Sequence, residues 1–186
     1  MANIGYSGTS ATASAGGYNN PAWSSLGYAG VNGATIQSIS AKLDNTDVSN
    51  AHKWTAAIYT KSGTTYTCVA NTALSVNIPA NTAGSWLTAN LVSPLAINAS
   101  TTYYLVLNAD DTHVDFFVDA GTPDQVLANF GGSGAGGAMS WPNFDQSQVV
   151  VNWAGHEQGI YATYTIASAD LGGTIPLGVR RLWPSR

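Results

Sequence analysis

Apolar residues in this chain recur at every second position, and that period limits its fold more than any other feature. Tyr103, Leu105 and Leu107 face one way, with Tyr104 and Val106 opposite them. The same alternation runs through Ile39, Ala41 and Leu43, through Trp54, Ala56 and Ile58, and through Tyr66, Cys68 and Ala70. It continues in Leu74, Val76 and Ile78, in Val114, Phe116 and Val118, in Val149 with Val151, and in Ile160, Ala162, Tyr164 and Ile166. Side chains two apart share one face of a strand, whereas an amphipathic helix needs spacings of three and four. Turn chemistry separates the runs at Ser62-Gly63, Pro79-Ala80-Asn81, Ala83-Gly84 and Gly121-Thr122-Pro123-Asp124.

Helix formers are scarce, with one Glu and three Lys. About eight to ten short strands at roughly 8–15-residue spacing predict an all-β fold, an antiparallel β-sandwich or barrel. Ile58, Tyr104, Leu105, Leu107, Phe116 and Ile160 are the expected core. At 186 residues the chain suits one well-buried core. The reading divides it into a flexible N-terminal arm over 1–22, a β-sandwich over 23–167 and an extended basic C-terminal arm over 168–186. A glycine-rich loop, Phe130 to Ala138, runs on through Trp141-Pro142.

Charged residues make up 9% of the chain, against about 25% in an ordinary soluble domain. Hydroxyls and amides must supply its solubility. The net charge of −4 is unevenly placed: all three arginines, Arg180, Arg181 and Arg186, fall in the last seven residues. The acidic body repels nucleic acid, and three arginines make a thin phosphate-binding footprint. The single cysteine, Cys68, cannot form an internal disulfide and reads as a small buried hydrophobe in a strand. The first twenty residues lack a charged n-region and an apolar h-region, so no secretory signal is expected. No stretch reaches the length of a membrane-spanning helix, and no membrane partner is expected. The sequon Asn98-Ala99-Ser100 then has no route to glycosylation and reads as a turn.

Catalysis needs acids, bases or nucleophiles held together. The three histidines, His52, His113 and His156, stand in or beside loops. No nucleophile elbow, zinc-protease motif or paired glutamates accompany them. The chain reads as non-enzymatic and without a cofactor. The densest polar run is Asp110-Asp111-Thr112-His113-Val114-Asp115. Hard oxygen ligands on one loop suit Ca²⁺, which makes Asp110, Asp111 and Asp115 weak metal candidates. Their spacing does not match an EF-hand, so a solvated turn with no metal is the favoured reading. Among fifteen Trp and Tyr residues, Tyr18, Trp141 and Trp153 fall outside clean alternation. Aromatic faces of this kind can stack on sugars, which makes these three candidate glycan-binding residues.

The phrases ATIQSISAKL, AAIYTKSGTTYT, SWLTANLVSPLAINASTTYYLVL and GIYATYT occur in that order. Together they resemble a jelly-roll-like β-sandwich that recurs in bacteriophage tail and virion structural proteins and in related bacterial surface proteins. The resemblance spans Trp23 to Thr165 and rests on packing motifs. It implies a non-enzymatic structural protein on the particle exterior, a decoration, head-fibre or tail component whose partners are its own copies and other virion proteins. The location implied is the virion, with synthesis in the host cytoplasm. The alternative is a carbohydrate-binding adhesion module on the same fold, with host-surface glycan as its partner.

The C-terminal arm fits the first role. Asp170-Leu171-Gly172-Gly173 reads as a hinge, followed by the extended apolar run of Ile175 to Val179. Ile175, Leu177, Arg180, Arg181, Leu182 and Trp183 are the candidate assembly residues, of types favoured at binding hot spots. An extended peptide of this kind can add to a sheet edge or lie in a groove.

Overall fold

The computed structural model describes residues 2–8, 12–14, 22–63, 65–72, 76–120, 126–130, 147–149, 151–154 and 156–167. All its regular structure is β. The strands are β1 Ala2–Tyr6, β2 Thr12–Ser14, β3 Ala22–Ala29, β4 Ala34–Asn45, β5 His52–Ser62, β6 Thr65–Asn71, β7 Val76–Ile78 and β8 Thr82–Ile97. Then come β9 Thr102–Ala109, β10 Val114–Ala120, β11 Val126–Phe130, β12 Ser147–Val149, β13 Val151–Ala154, β14 His156–Gln158 and β15 Ile160–Ile166.

Eight of these strands make two antiparallel four-stranded layers. One layer runs β2-β10-β4-β8 and the other β3-β9-β5-β6. In chain order the eight strands cross from one layer to the other at every step except the β5–β6 hairpin. Neighbours in a sheet are therefore distant in sequence, which is the jelly-roll arrangement of two Greek keys. The chain is a jelly-roll-like β-sandwich.

The described residues hold fifteen strands, more than the eight to ten expected. The surplus is short strands pairing at sheet edges and strands divided by irregularities. Gly159 separates β14 from β15: its N–H donates to Phe117 O (2.8 Å), and its carbonyl accepts from Lys42 N–H (2.9 Å). One strand thus leaves β10 and joins β4. Residues 2–6, placed in a flexible arm by the sequence reading, pair with β15 from Ala2↔Tyr164 to Tyr6↔Ile160. Tyr6 also donates its hydroxyl to the Asp119 carboxylate.

Ile36, Ile39, Ala41 and Leu43 of β4 all point inward, and a bulge between Ile36 and Ser38 absorbs the odd spacing. They meet Trp54, Ala56 and Ile58 of β5, Leu105 and Leu107 of β9, Phe116 of β10 and Ile160 of β15. Of the expected core, Tyr104 is the exception. It is half-buried on the outer face of the second layer, edge-on to Tyr66 with ring centroids 4.9 Å apart. The period of two forbids Tyr104 and Leu105 from facing the same way, and Tyr103 takes the inward position instead. On that outer face Ala57, Tyr59, Tyr66 and Val106 form a second buried cluster. Strands β5 and β9 are consequently apolar on both faces, as central strands of a sandwich are.

Asn98 makes the expected turn. Its Oδ1 accepts from Ser100 N–H (3.1 Å), Ser100 Oγ (2.7 Å) and Thr101 Oγ1 (3.0 Å), which launches β9. Cys68 is half-buried in β6, where burial pushes its thiol pKa up.

Candidate functional site

Two places on the sandwich gather chemistry. The first is one end of the sandwich, where the β4–β5 and β9–β10 connections meet. Their backbones are tied together, since Thr46 N–H donates to His113 O (2.9 Å) and Asp110 N–H to Lys53 O (3.1 Å). The β7–β8 turn joins them through Asn81 N–H, which donates to Asp47 O (2.8 Å). The β5–β9 register, which sets Trp54 opposite Ala109, carries His52 to the Asp110–His113 turn.

Asp111 holds its own turn locally, whereas Asp110 bonds across to β5. Asp110 Oδ1 accepts from Lys53 N–H (2.9 Å), and Asp111 Oδ1 accepts from His113 N–H (2.9 Å). Their carboxylates also face imidazoles. His52 places Nδ1 3.5 Å from Asp110 Oδ1 and Nε2 3.3 Å from Asp47 Oδ2. His113 Nδ1 lies 2.5 Å from Asp111 Oδ1. The two imidazole rings are parallel within 3°, with centroids 5.8 Å apart.

Asp47 is held by its own turn: Oδ1 accepts from Ser49 N–H (2.8 Å) and Asn50 N–H (3.1 Å), and Oδ2 from Asn50 Nδ2 (3.0 Å). The Asn50 side chain and these backbone donors hold the Asp47 carboxyl well below the usual carboxylate range. Hydrogen bonds from the His113 backbone and ring hold Asp111 below its usual value, and the Asp111 carboxylate raises His113. One carboxylate oxygen and two ring nitrogens from Asp47, His52 and His113 lie within 4.8 Å of one another.

Asp115 stands apart from this cluster, paired across β10 and β4 with Asp44. Burial, then the nearby Asp115 charge, raises the Asp44 pKa. Asp47 and His52 were not singled out in the sequence as ligands. Their one local signal is a histidine opening a strand just after an Asp-x-Ser-Asn turn; the rest depends on strand register.

The second place is the outer face of the first layer. Trp86 of β8 lies against Tyr161 of β15, with ring centroids 5.1 Å apart at 50°. The register of β8, β4 and β15 sets Thr88, Ser40 and Tyr161 in one row, and Ser40 Oγ and Thr88 Oγ1 are 2.7 Å apart. Beside them the Lys42 ammonium sits 4.8 Å from the centroid of the Phe117 ring. This is an aromatic surface with the exposed Thr88 at its border, and Ser40 is buried beneath.

Of the sequence-predicted aromatic candidates, Tyr18 and Trp141 lie outside the described residues. Trp153 is in β13, paired with Leu127, and its side chain lies outside the description. The arm residues Ile175, Leu177, Arg180, Arg181, Leu182 and Trp183 also lie outside the described residues. Comparison of the chain with protein-family models, with curated proteins and with solved structures finds no match in any of the three.

Proposed function

We propose that the chain is a non-enzymatic structural protein of a bacteriophage particle, an exterior decoration, head-fibre or tail component that joins its own copies and neighbouring particle proteins. The observation that supports this reading is an open groove of mixed polarity where the two layers meet, with two exposed valines on it. Val69, Ala70 and Asn71 of β6 and Val92, Ser93, Pro94 and Leu95 of β8 line a depression of about 190 Å³. Val92 is 65% exposed and Val69 41%. Among the described residues, the edge of β8 away from β4 is bridged only at Leu91, to Thr72. Pro94 suits that position, since an edge strand tolerates the missing N–H.

A long edge beside a groove with exposed valines invites an added strand. The apolar run beginning Ile175-Pro176-Leu177 is the segment we assign to it, from a neighbouring copy. Light scattering on the full chain, on a chain ending at residue 167 and on Val92→Asp tests the assignment. The full chain is expected to associate, and both variants are expected to remain monomeric. A monomeric full chain, or variants that associate unchanged, would overturn it.

A second reading, glycan recognition, is favoured by the Trp86–Tyr161 surface with the exposed Thr88 beside it. Aromatic faces stack on sugar C–H groups while hydroxyls read the polar edges. If it holds, the full chain binds members of a glycan array and Trp86→Ala loses at least tenfold in affinity. Equal binding by the variant would remove this face from consideration.

A further inference from the structure

We infer that Asp47, His52 and His113 form a binding site for a divalent transition-metal ion of the zinc class. Two loops far apart in sequence bring one carboxylate oxygen and two imidazole nitrogens within 4.8 Å of one another. Ligands so close need only small side-chain movements to reach one ion. The donor set decides which ion. Imidazole is a borderline ligand that suits Zn²⁺, Ni²⁺, Co²⁺ and Cu²⁺, whereas Ca²⁺ and Mg²⁺ take oxygen. Two imidazoles with one carboxylate make a three-ligand zinc set with a position left for water or a partner's group. The sequence favoured a solvated turn here over calcium on Asp110, Asp111 and Asp115; the imidazole-bearing set of Asp47, His52 and His113 suits a different ion.

The surroundings support the assignment independently of the donors. Metal-bound imidazoles commonly rest their second nitrogen on a carboxylate, which fixes the tautomer and raises ligand basicity. His52 has that arrangement: Nε2 faces Asp47 while Nδ1 faces Asp110 at 3.5 Å. Asp111 holds His113 in the same way, through Nδ1. The supporting backbone is anchored by Thr46 on His113 O and Asn81 on Asp47 O. Side chains of His52 and Asp47 are mostly enclosed, at 12% and 16% exposure, and His113 at 54% leaves a path for the ion. Three carboxylates against two imidazoles leave a negative cluster, which a divalent cation offsets.

The test is calorimetric titration of Zn²⁺ into the untagged full chain, stripped with a chelator beforehand. One equivalent is expected to bind and to raise the melting temperature, while Ca²⁺ produces neither effect. His52→Gln and His113→Gln should each weaken Zn²⁺ by more than tenfold, and His156→Gln should bind as the parent does. His113 is more than half exposed, so His113→Gln remains informative if His52→Gln fails to fold. Absence of one-to-one Zn²⁺ binding, equal binding of Ca²⁺, or undiminished binding by His113→Gln would overturn the site. So would loss of binding in His156→Gln.

Discussion

Leu105→Ala is expected to lower the unfolding free energy by about 2–5 kcal/mol, the range for leucine truncations in close-packed cores. Leu105 has no exposed surface and stands in β9 between β3 and β5, opposite Ile58. Its Cδ1 reaches across the sandwich to β1, lying 3.0 Å from where a Cβ on Gly5 would be. Truncation would thus open a void at the contact between the two layers. Ladder hydrogen bonds on both sides hold β9 in place and limit collapse of the void. Denaturant unfolding of Leu105→Ala beside Val92→Ala, an exposed control, measures the effect. A loss below about 0.5 kcal/mol for Leu105→Ala would place that side chain outside the tightly packed interior.

Gly30→Ala is expected to cost about 1–3 kcal/mol, the range for overpacking a filled site. Gly30 is buried just after β3, and its N–H donates to Thr101 O at 3.0 Å. A Cβ there would lie 2.2 Å from the Asn98 carbonyl oxygen and 2.6 Å from Tyr103 Cε2. The carbonyl belongs to the backbone of the Asn98 turn that launches β9, so relief requires moving that turn. Gly84→Ala is the instructive comparison. Its Cβ would meet the Phe117 ring, 2.6 Å from Cζ, and the far end of a side chain can swing aside. Thermal melts should rank Gly30→Ala well below Gly84→Ala. The reverse order would mean that the Asn98 turn yields more easily than the Phe117 ring.

Both substitutions probe places where sequence and tertiary structure contribute differently. The alternation through β4, β5, β9 and β15 is local, because strand geometry sends successive side chains to opposite faces wherever the strand ends up. Sheet-facing residues such as Ile58, Leu105, Leu107, Phe116 and Ile160 were therefore readable from the chain alone. So was the turn at Asn98, whose side chain acts within three residues of itself. The class of fold followed from the same local rule.

Register and layer order were another matter. Which strand pairs with which depends on contacts between residues dozens of positions apart, and the period of two is compatible with many pairings. Only the structure sets β4 between β8 and β10 and β9 between β3 and β5. The Tyr103–Leu107 run, apolar on both faces, read as a strand buried on both sides, and Val106 is buried. The cover over Tyr59 of β5 on the same outer face was hidden, since alternation marks two faces without saying that both are covered. The His–Asp cluster belongs to the same class. Asp110 and Asp111 stood out in the sequence as a polar run, whereas His52 stood only as a histidine in or beside a loop and Asp47 was not singled out. Pairing of Trp54 with Ala109 is what brings His52 to them. A metal-binding motif on one segment shows itself by spacing. This one is divided between two connections that cross from one layer to the other, so its spacing exists only in three dimensions.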